Sequence, residues 1–599
     1  MIGDGHTVAL VARDGSIDWL CLPRFDSPSC FSRLLGDPDS SRWLLTVDHT
    51  ELKTERRYVE DTNVLETTHT TRDGVVRVTD LMPTGDRRAD IVRRVECLSG
   101  RALIHHEFVI RFDHGAIRPW VRREQAYGAE VIVAVGGPDK IVLAGPRLPR
   151  AVDGRHEDAF EVSTGDRLDF ILTWVPSHRD VPEPLDVETR LTTTIDAQRT
   201  WAVECEYTGP FEDHVVRSLL TLHGLTHEDT GGIVAAPTTS LPEDFGGERN
   251  WDYRFSWLRD AALTVEAVIG TKKPDRATPW RNWLLRTIAG DPEDMQVMYT
   301  VDGGRHLPER ELDHLAGYAG ARPVRIGNAA VDQRQTDVVG EVILALAAAR
   351  DAGLEETADS WRLQCSLIER LRETWHLPDN GIWEIRGPQR HFTHSRVMVW
   401  AAFDRMVRAV ERHGFDGPVD QWRAVRDQVR AEVLTRGVDD RRGCFTQHYD
   451  TSEVDASLLV LPIVGFVPGD DPRMLATIEA VESDLMRDGL LLRYRTATGV
   501  DGLGGDEHPF LACSFWLVTA YALSGRTDDA VTLMERLVGL TNDVGLLSEE
   551  LDVAGGRMAG NFPQAYSHLT LVQAARSLAA ATATEEPTGP VTTDTGPYQ

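Results

Sequence analysis

EDHVVRSLLTLHGL, residues 212–225, is where the chain changes rhythm. Apolar residues ahead of it recur with a period near two, and from it onward near 3.6. On the N-terminal side, TVALVARDGSIDWLCLP (7–23) sets Asp14-Gly15 between two runs rich in β-branched and aromatic residues, a strong hairpin signal. VVRVTDLM (75–82), ALIHHEFVIRF (102–112), AEVIVAV (129–135), KIVLAG (140–145) and RLDFILTWV (167–175) repeat that reading. From Thr7 to about Val203 the pattern is short strands and turns, which predicts an N-terminal antiparallel β-sandwich (supersandwich) over 1–205. On the C-terminal side, segments such as SWLRDAALTVEAVIG, TDVVGEVILALAAARDAG, SRVMVWAAFDRMVRAVERHG and FLACSFWLVTAYALSG are helical in period, and many end at Gly. With DRATPWRNWLLRTIAG and VDASLLVLPIVGF, about twelve helices are expected. Paired as six hairpins, they make an (α/α)6 toroid. The expected order is a multidomain β + α chain: sandwich 1–205, linker helix 206–225, toroidal catalytic domain 226–582, and a Thr-, Pro- and Gly-rich tail, 583–599, expected to be disordered.

Composition excludes several classes. At 599 residues the chain needs more than one core. No window approaches 18 uninterrupted apolar residues, and no basic segment followed by an apolar run opens the chain, so no membrane partner and a cytoplasmic location are expected. Seven scattered cysteines without a CxxC pair suggest neither a disulfide framework nor a zinc site. A formal charge of −30 opposes nucleic-acid binding, which relies on clustered Lys and Arg. No cofactor or metal is expected, and a homo-oligomer is left open.

Clusters of aromatic and charged residues fall in the gaps between helices: NWDYRFSWLRD (250–260), GYAGARPVRIGNA (317–329), DNGIWEIRG (379–387), LLRYRTATGVDGLGGDEHPF (491–510) and LLSEELDVAGGRMAGNFPQAY (546–566). Such loops suit a small carbohydrate, whose C–H faces pack on rings while its hydroxyls bond charged side chains. Cleaving a glycosidic bond takes two carboxyl groups, one protonated and one ionised. Glu384, beside Trp383, suits the first role because an aromatic neighbour excludes water; Glu549, in a polar loop, suits the second. Pattern alone stops there. Among 94 acidic residues a loop Glu is ordinarily a solvated charge, Trp257 and Trp383 read equally well as core aromatics, and Arg259-Asp260 as a pair at a helix start.

In order and spacing these clusters resemble glycoside hydrolase family 15, the glucoamylase and glucodextranase family, and most closely its bacterial trehalase-like branch. The likeness runs from GDGHTVALVARDGSIDWLCLPRFDSPSCF to NFPQAYSHLTLVQAA. It implies that Glu384 of the W-E pair is the general acid and Glu549 of the S-E pair the general base. Arg259-Asp260, with Tyr253 and Trp257, would grip the non-reducing glucose. Arg493 resembles a further sugar-binding arginine, and Trp383, Arg322 and Tyr566 would complete the pocket. The implied reaction is exo-acting and inverting, with β-glucose as product. Where fungal glucoamylases carry a tryptophan before G-R-P, this chain reads Gly320-Ala321-Arg322-Pro323. That favours a short α-glucoside, best α,α-trehalose, over starch. A glucoamylase, an isomaltose or malto-oligosaccharide glucohydrolase, and more remotely a non-catalytic carbohydrate-binding protein are the alternatives.

Overall fold

The structure, a computed structural model, describes residues 1–585 apart from 38–39, 50, 270–272 and 289–291. Its N-terminal part, through Pro176, is an antiparallel β-domain organised around one long strand, Ala89–Val109. The first part of that strand pairs with Gly74–Leu81 and Arg167–Pro176. The last part pairs with Arg42–Val47 and Arg155–Ser163. A single strand therefore passes from one leaf of the sandwich to the other, and the aromatic core, with Trp43 packed on His106 and Phe108, closes between the leaves. The crossing point is an exposed stretch around Gly100, where φ is 68° and an added Cβ would overlap the Asp73 carbonyl. Only glycine takes that conformation without strain.

The strands end at Pro176, and a helix, α1 (Val187–Val203), follows where strands and turns were expected. The Thr-rich run in VETRLTTTIDAQRTWAV has the β-branched composition of a strand. Tertiary burial decides otherwise: Val187, Thr194, Gln198 and Ala202 recur at helical spacing, and Asp186 caps the first turn through the Thr189 N–H. Its apolar side packs on Val64, Leu81 and Val92 of the β-domain.

Eleven further α-helices are described: α2 (Glu212–Gly224), α3 (Leu258–Ile269), α4 (Thr278–Ile288), α5 (Asp337–Asp351), α6 (Ala358–Thr374), α7 (Thr393–His413), α8 (Val419–Arg436), α9 (Pro472–Leu485), α10 (Leu511–Leu523), α11 (Thr527–Val538) and α12 (Ala565–Glu585). Packing runs α12 to α3 to α5 to α7, through a short 3₁₀ segment at Ala456–Val460 to α10, and back to α12. That closed inner ring of six elements is the (α/α)6 toroid. Burial follows position. α10 (LACSFWLVTAYAL) is apolar on every side and buried from Leu511 to Ala522, whereas outer α8 buries only Trp422, Val429 and Val433. The sixth inner element was expected as a full helix in VDASLLVLPIVGF. It stops after one turn because Pro462 cannot donate into the next one and Gly465 adopts a positive φ. The last helix reaches Glu585, beyond the expected boundary at 582; the rest of the expected tail, 586–599, lies outside the described residues.

The β-domain is fixed to the toroid beside the 237–257 segment. Trp19 Nε1 donates to the Pro237 carbonyl at 2.7 Å, and Arg254 Nη1 to the Ser27 carbonyl at 2.7 Å. No helix among the described residues is long and apolar enough to cross a membrane.

Candidate active site

One cavity at the rim of the inner ring gathers Tyr253, Trp257, Arg259, Asp260, Trp383, Glu384, Arg493, Glu549 and Tyr566 from segments spread over 300 residues of sequence. The closed end is built first. Asp260 lies in the opening turn of α3, where the helix dipole favours its charge. Arg259 Nε donates to Asp260 Oδ1 at 2.7 Å and its Nη1 to the Ile382 carbonyl at 2.6 Å, so both side chains are held before any ligand arrives. Tyr566, from α12, packs under that guanidinium with its ring centroid 5.3 Å from Arg259 Cζ. Trp383 donates Nε1 to both carboxylate oxygens of Asp455 at 2.9 Å.

Glu384 sits in a tight loop before α7 with φ 57°, the left-handed region that costs a non-glycine residue about 1–3 kcal/mol. The surroundings impose it: Gln333 Nε2 donates to the Glu384 carbonyl at 3.0 Å, and Asn380 Nδ2 to the Ile385 carbonyl at 2.8 Å. Trp257 Nε1 donates to Glu384 Oε1 at 2.6 Å, and Arg259 Nη1 lies 3.9 Å from the same oxygen. Burial pushes the Glu384 carboxyl above its ordinary range, and the Arg259 charge and Trp257 N–H reverse part of that rise.

Glu549 lies in the loop after α11. Tyr253 Oη donates to its Oε1 at 2.7 Å and the Asn561 N–H to its Oε2 at 3.2 Å. Burial raises its carboxyl as well, and the neighbouring Glu243 carboxylate adds to the rise; Arg493 and the two donors oppose it. The Tyr253 and Trp257 rings meet edge to face, centroids 5.4 Å apart. The two carboxyls thus rest on adjoining aromatic supports, one donor each, and are not hydrogen-bonded to one another. Adjacent Glu550 points elsewhere, accepting the His508 N–H at 3.0 Å.

Arg322 does not join them. It is exposed and spends Nε and Nη2 on the Ala316 and Leu315 carbonyls at 3.3 and 3.0 Å. The cavity also has residues that sequence reasoning did not single out: Glu243, Arg249, Trp251, Arg386, Asp501 and Leu503. Trp251 and Arg386 stand inside the quoted clusters, so their composition was a usable signal. Glu243, in PTTSLPEDFGGERN, carries no periodicity or motif to mark it. Glu243, Glu507 and Glu550 bring ligand atoms within 4.8 Å of one another, the one such group among the described residues. Arg493 Nη2 lies among them, 2.7, 2.6 and 3.5 Å from Glu243, Glu507 and Glu550, and supplies positive charge at their centre.

Comparison with known proteins places the chain in a family. Residues 209–576 match the family model described as glycosyl hydrolases family 15, and residues 1–174 the one described as trehalase-like, N-terminal. A trehalase of Mycolicibacterium smegmatis is 37% identical, with 96% of this chain aligned to 89% of that protein. A trehalase of Thermoplasma volcanium is 35% identical over 96% of this chain and 92% of its own length. Among solved structures, a bacterial glucoamylase complexed with acarbose superposes with a TM-score of 0.70 over 97% of this chain and 95% of that one. At 12% identity that likeness speaks for the fold alone. The two domain matches in sequence order, and the relatives aligned nearly end to end, establish that this chain belongs to the glycosyl hydrolases of family 15.

Proposed function

We propose that this protein hydrolyses α,α-trehalose to glucose with inversion, Glu384 acting as general acid and Glu549 as general base. The observation that carries the reading is the pair itself: two carboxyls in one cavity, each with its own aromatic hydrogen-bond donor and neither bonded to the other. Inversion needs room for a water between base and sugar, hence carboxyls roughly 6.5–9.5 Å apart and not in contact. Trp257 occupies Glu384 Oε1, so the transferable proton resides on Oε2 and passes to the glycosidic oxygen. Glu549 takes a proton from the attacking water. Arg259, Asp260, Trp257 and Tyr566 hold the non-reducing glucose at the closed end. Trehalose as substrate is supported by relatives named trehalase that align along nearly the whole chain. All seven cysteines are unpaired, which supports a reducing, cytoplasmic setting.

The test compares glucose release from trehalose, maltose, isomaltose and starch, with proton NMR of the first product. Fastest release from trehalose, with β-glucose appearing alongside α-glucose in equal amounts, is expected: inversion at one α-linked centre gives the β anomer, and the leaving sugar keeps its α configuration. If only α-glucose appears before mutarotation, the inverting assignment fails; faster release from maltose or isomaltose overturns the substrate.

The pH profile of kcat/KM follows from the shifts. The base must be ionised, and raising its carboxyl moves the loss of activity in acid to a higher pH than an ordinary glutamate, about 4.3, would give. The acid must be protonated, and raising its carboxyl extends activity towards alkali. A bell with both limbs displaced upward is expected. A lower limb at or below pH 4.3 would contradict it.

A further inference from the structure

The cavity is blind at one end and open at the other. Trp257, Asp260 and Tyr566 are each about 2% exposed, while Trp251 and Leu503 are half-buried and Arg386 is exposed. If the cleaved glucose fills the blind end, as the proposed function requires, its partner must lie toward Trp251 and Arg386. These two form a built wall. Arg386 Cζ lies 4.1 Å from the Trp251 ring centroid, and its Nη1 and Nη2 are fixed by Glu309 at 3.3 and 2.8 Å. Its Nε has no protein partner among the described residues. The Trp251 indole is held by its own N–H, which donates to Glu243 Oε1 at 3.1 Å, and the other oxygen of Glu243 accepts from Arg493 at 2.7 Å.

The loops around this wall pack on one another. A Cβ on Gly387 would lie 2.5 Å from the Val500 carbonyl, so the loop carrying Glu384 and Arg386 presses directly on the 500–505 loop. Arg249 ties that second loop to the Trp251 segment, donating to Asp501 at 2.5 Å and to the Gly504 carbonyl at 3.2 Å. Three loops thus close on one another just beyond the scissile position.

We infer that Trp251 and Arg386 form the binding subsite for the leaving sugar, with Glu243 as the positioning residue that holds Trp251 in place. The inference rests on the proposed reaction. The chemistry suits an uncharged hexose: the Arg386 guanidinium, pinned by Glu309 and stacked on the Trp251 ring, which Arg325 also approaches at 4.8 Å, offers a directed donor to a hydroxyl. Arg386 and Glu384 line the same cavity, so a sugar bound to the guanidinium lies on the side of the acid.

A discriminating experiment uses two substrates with the same glucosyl group: trehalose, and α-glucosyl fluoride, whose leaving group is too small to touch the wall. In Arg386→Met the ratio of kcat/KM for trehalose over fluoride should fall about ten- to hundredfold, the effect of losing a hydrogen bond to a charged donor, and the fall should persist on the acid side of the pH profile, where Glu384 stays protonated with or without the Arg386 charge. Trp251→Phe should move the ratio in the same direction, with trehalose KM rising more than kcat falls. Arg386 is exposed, so its replacement leaves the core intact. An unchanged ratio in both variants, or parallel losses on both substrates, would overturn the subsite. Failure of the unmodified protein to hydrolyse the fluoride would instead refute the acid and base assignment.

Discussion

Glu549→Gln should lower kcat on every α-glucoside, α-glucosyl fluoride included, by about 10²- to 10⁴-fold, the range that a positioned general base contributes. An amide matches the carboxylate in shape but cannot take a proton from water. The rest of the site tolerates the exchange. Gln Oε1 still accepts from Tyr253 Oη, and only the Asn561 N–H loses an acceptor, because the Oε2 that it meets in the unmodified protein is replaced by the amide Nε2. One orphaned buried N–H costs about 1–3 kcal/mol, partly offset because a buried charge has gone. KM should therefore change little, and circular dichroism and the thermal midpoint should stay close to those of the unmodified protein. Fluoride is the decisive substrate because it needs almost no acid assistance, so its loss isolates the base. If Glu549→Gln keeps fluoride hydrolysis within about tenfold, the base lies elsewhere, and Glu243, already in the cavity and joined to Arg493, becomes the carboxylate to replace next.

What the sequence made legible divides along physical lines. Helix period and glycine stops gave the ring of helices, because inner helices such as α10 must be apolar all round and outer ones such as α8 on one stripe. Residues that the family resemblance singled out by local motif share a place: Trp383-Glu384, Arg259-Asp260 and Glu549 all line the same cavity. Contacts set by distant partners were not legible. Nothing in ADIVRRVECLSGRALIHHEFV announces that one strand serves both leaves, since that depends on register with four separate segments. The helix at Val187–Val203 hid behind its threonines until burial against Val64 and Leu81 fixed it. Arg322 sat in a suggestive loop, yet its guanidinium turns back on carbonyls six and seven residues earlier. Glu243 carries none of these signals: its importance comes from joining Trp251, 8 residues away, to Arg493, 250 residues away.

Glu384→Gln should separate substrates instead of suppressing them all. On trehalose, whose leaving group is a sugar alkoxide unless protonated, kcat should fall by about 10²- to 10⁴-fold. On α-glucosyl fluoride the loss should be at least tenfold smaller, because fluoride departs without that proton. The geometry makes the comparison clean. The Trp257 N–H binds Oε1, which a glutamine retains, and the left-handed backbone at residue 384 is imposed by Gln333 and Asn380 irrespective of the side chain's charge. The variant therefore removes a proton and little else. Its pH profile carries a second prediction within the first. The alkaline limb reports deprotonation of Glu384 and should disappear, leaving a single rise as Glu549 ionises from its burial-raised position. An alkaline limb that survives in Glu384→Gln, or fluoride hydrolysis that falls as far as trehalose hydrolysis, would show that another group delivers the proton.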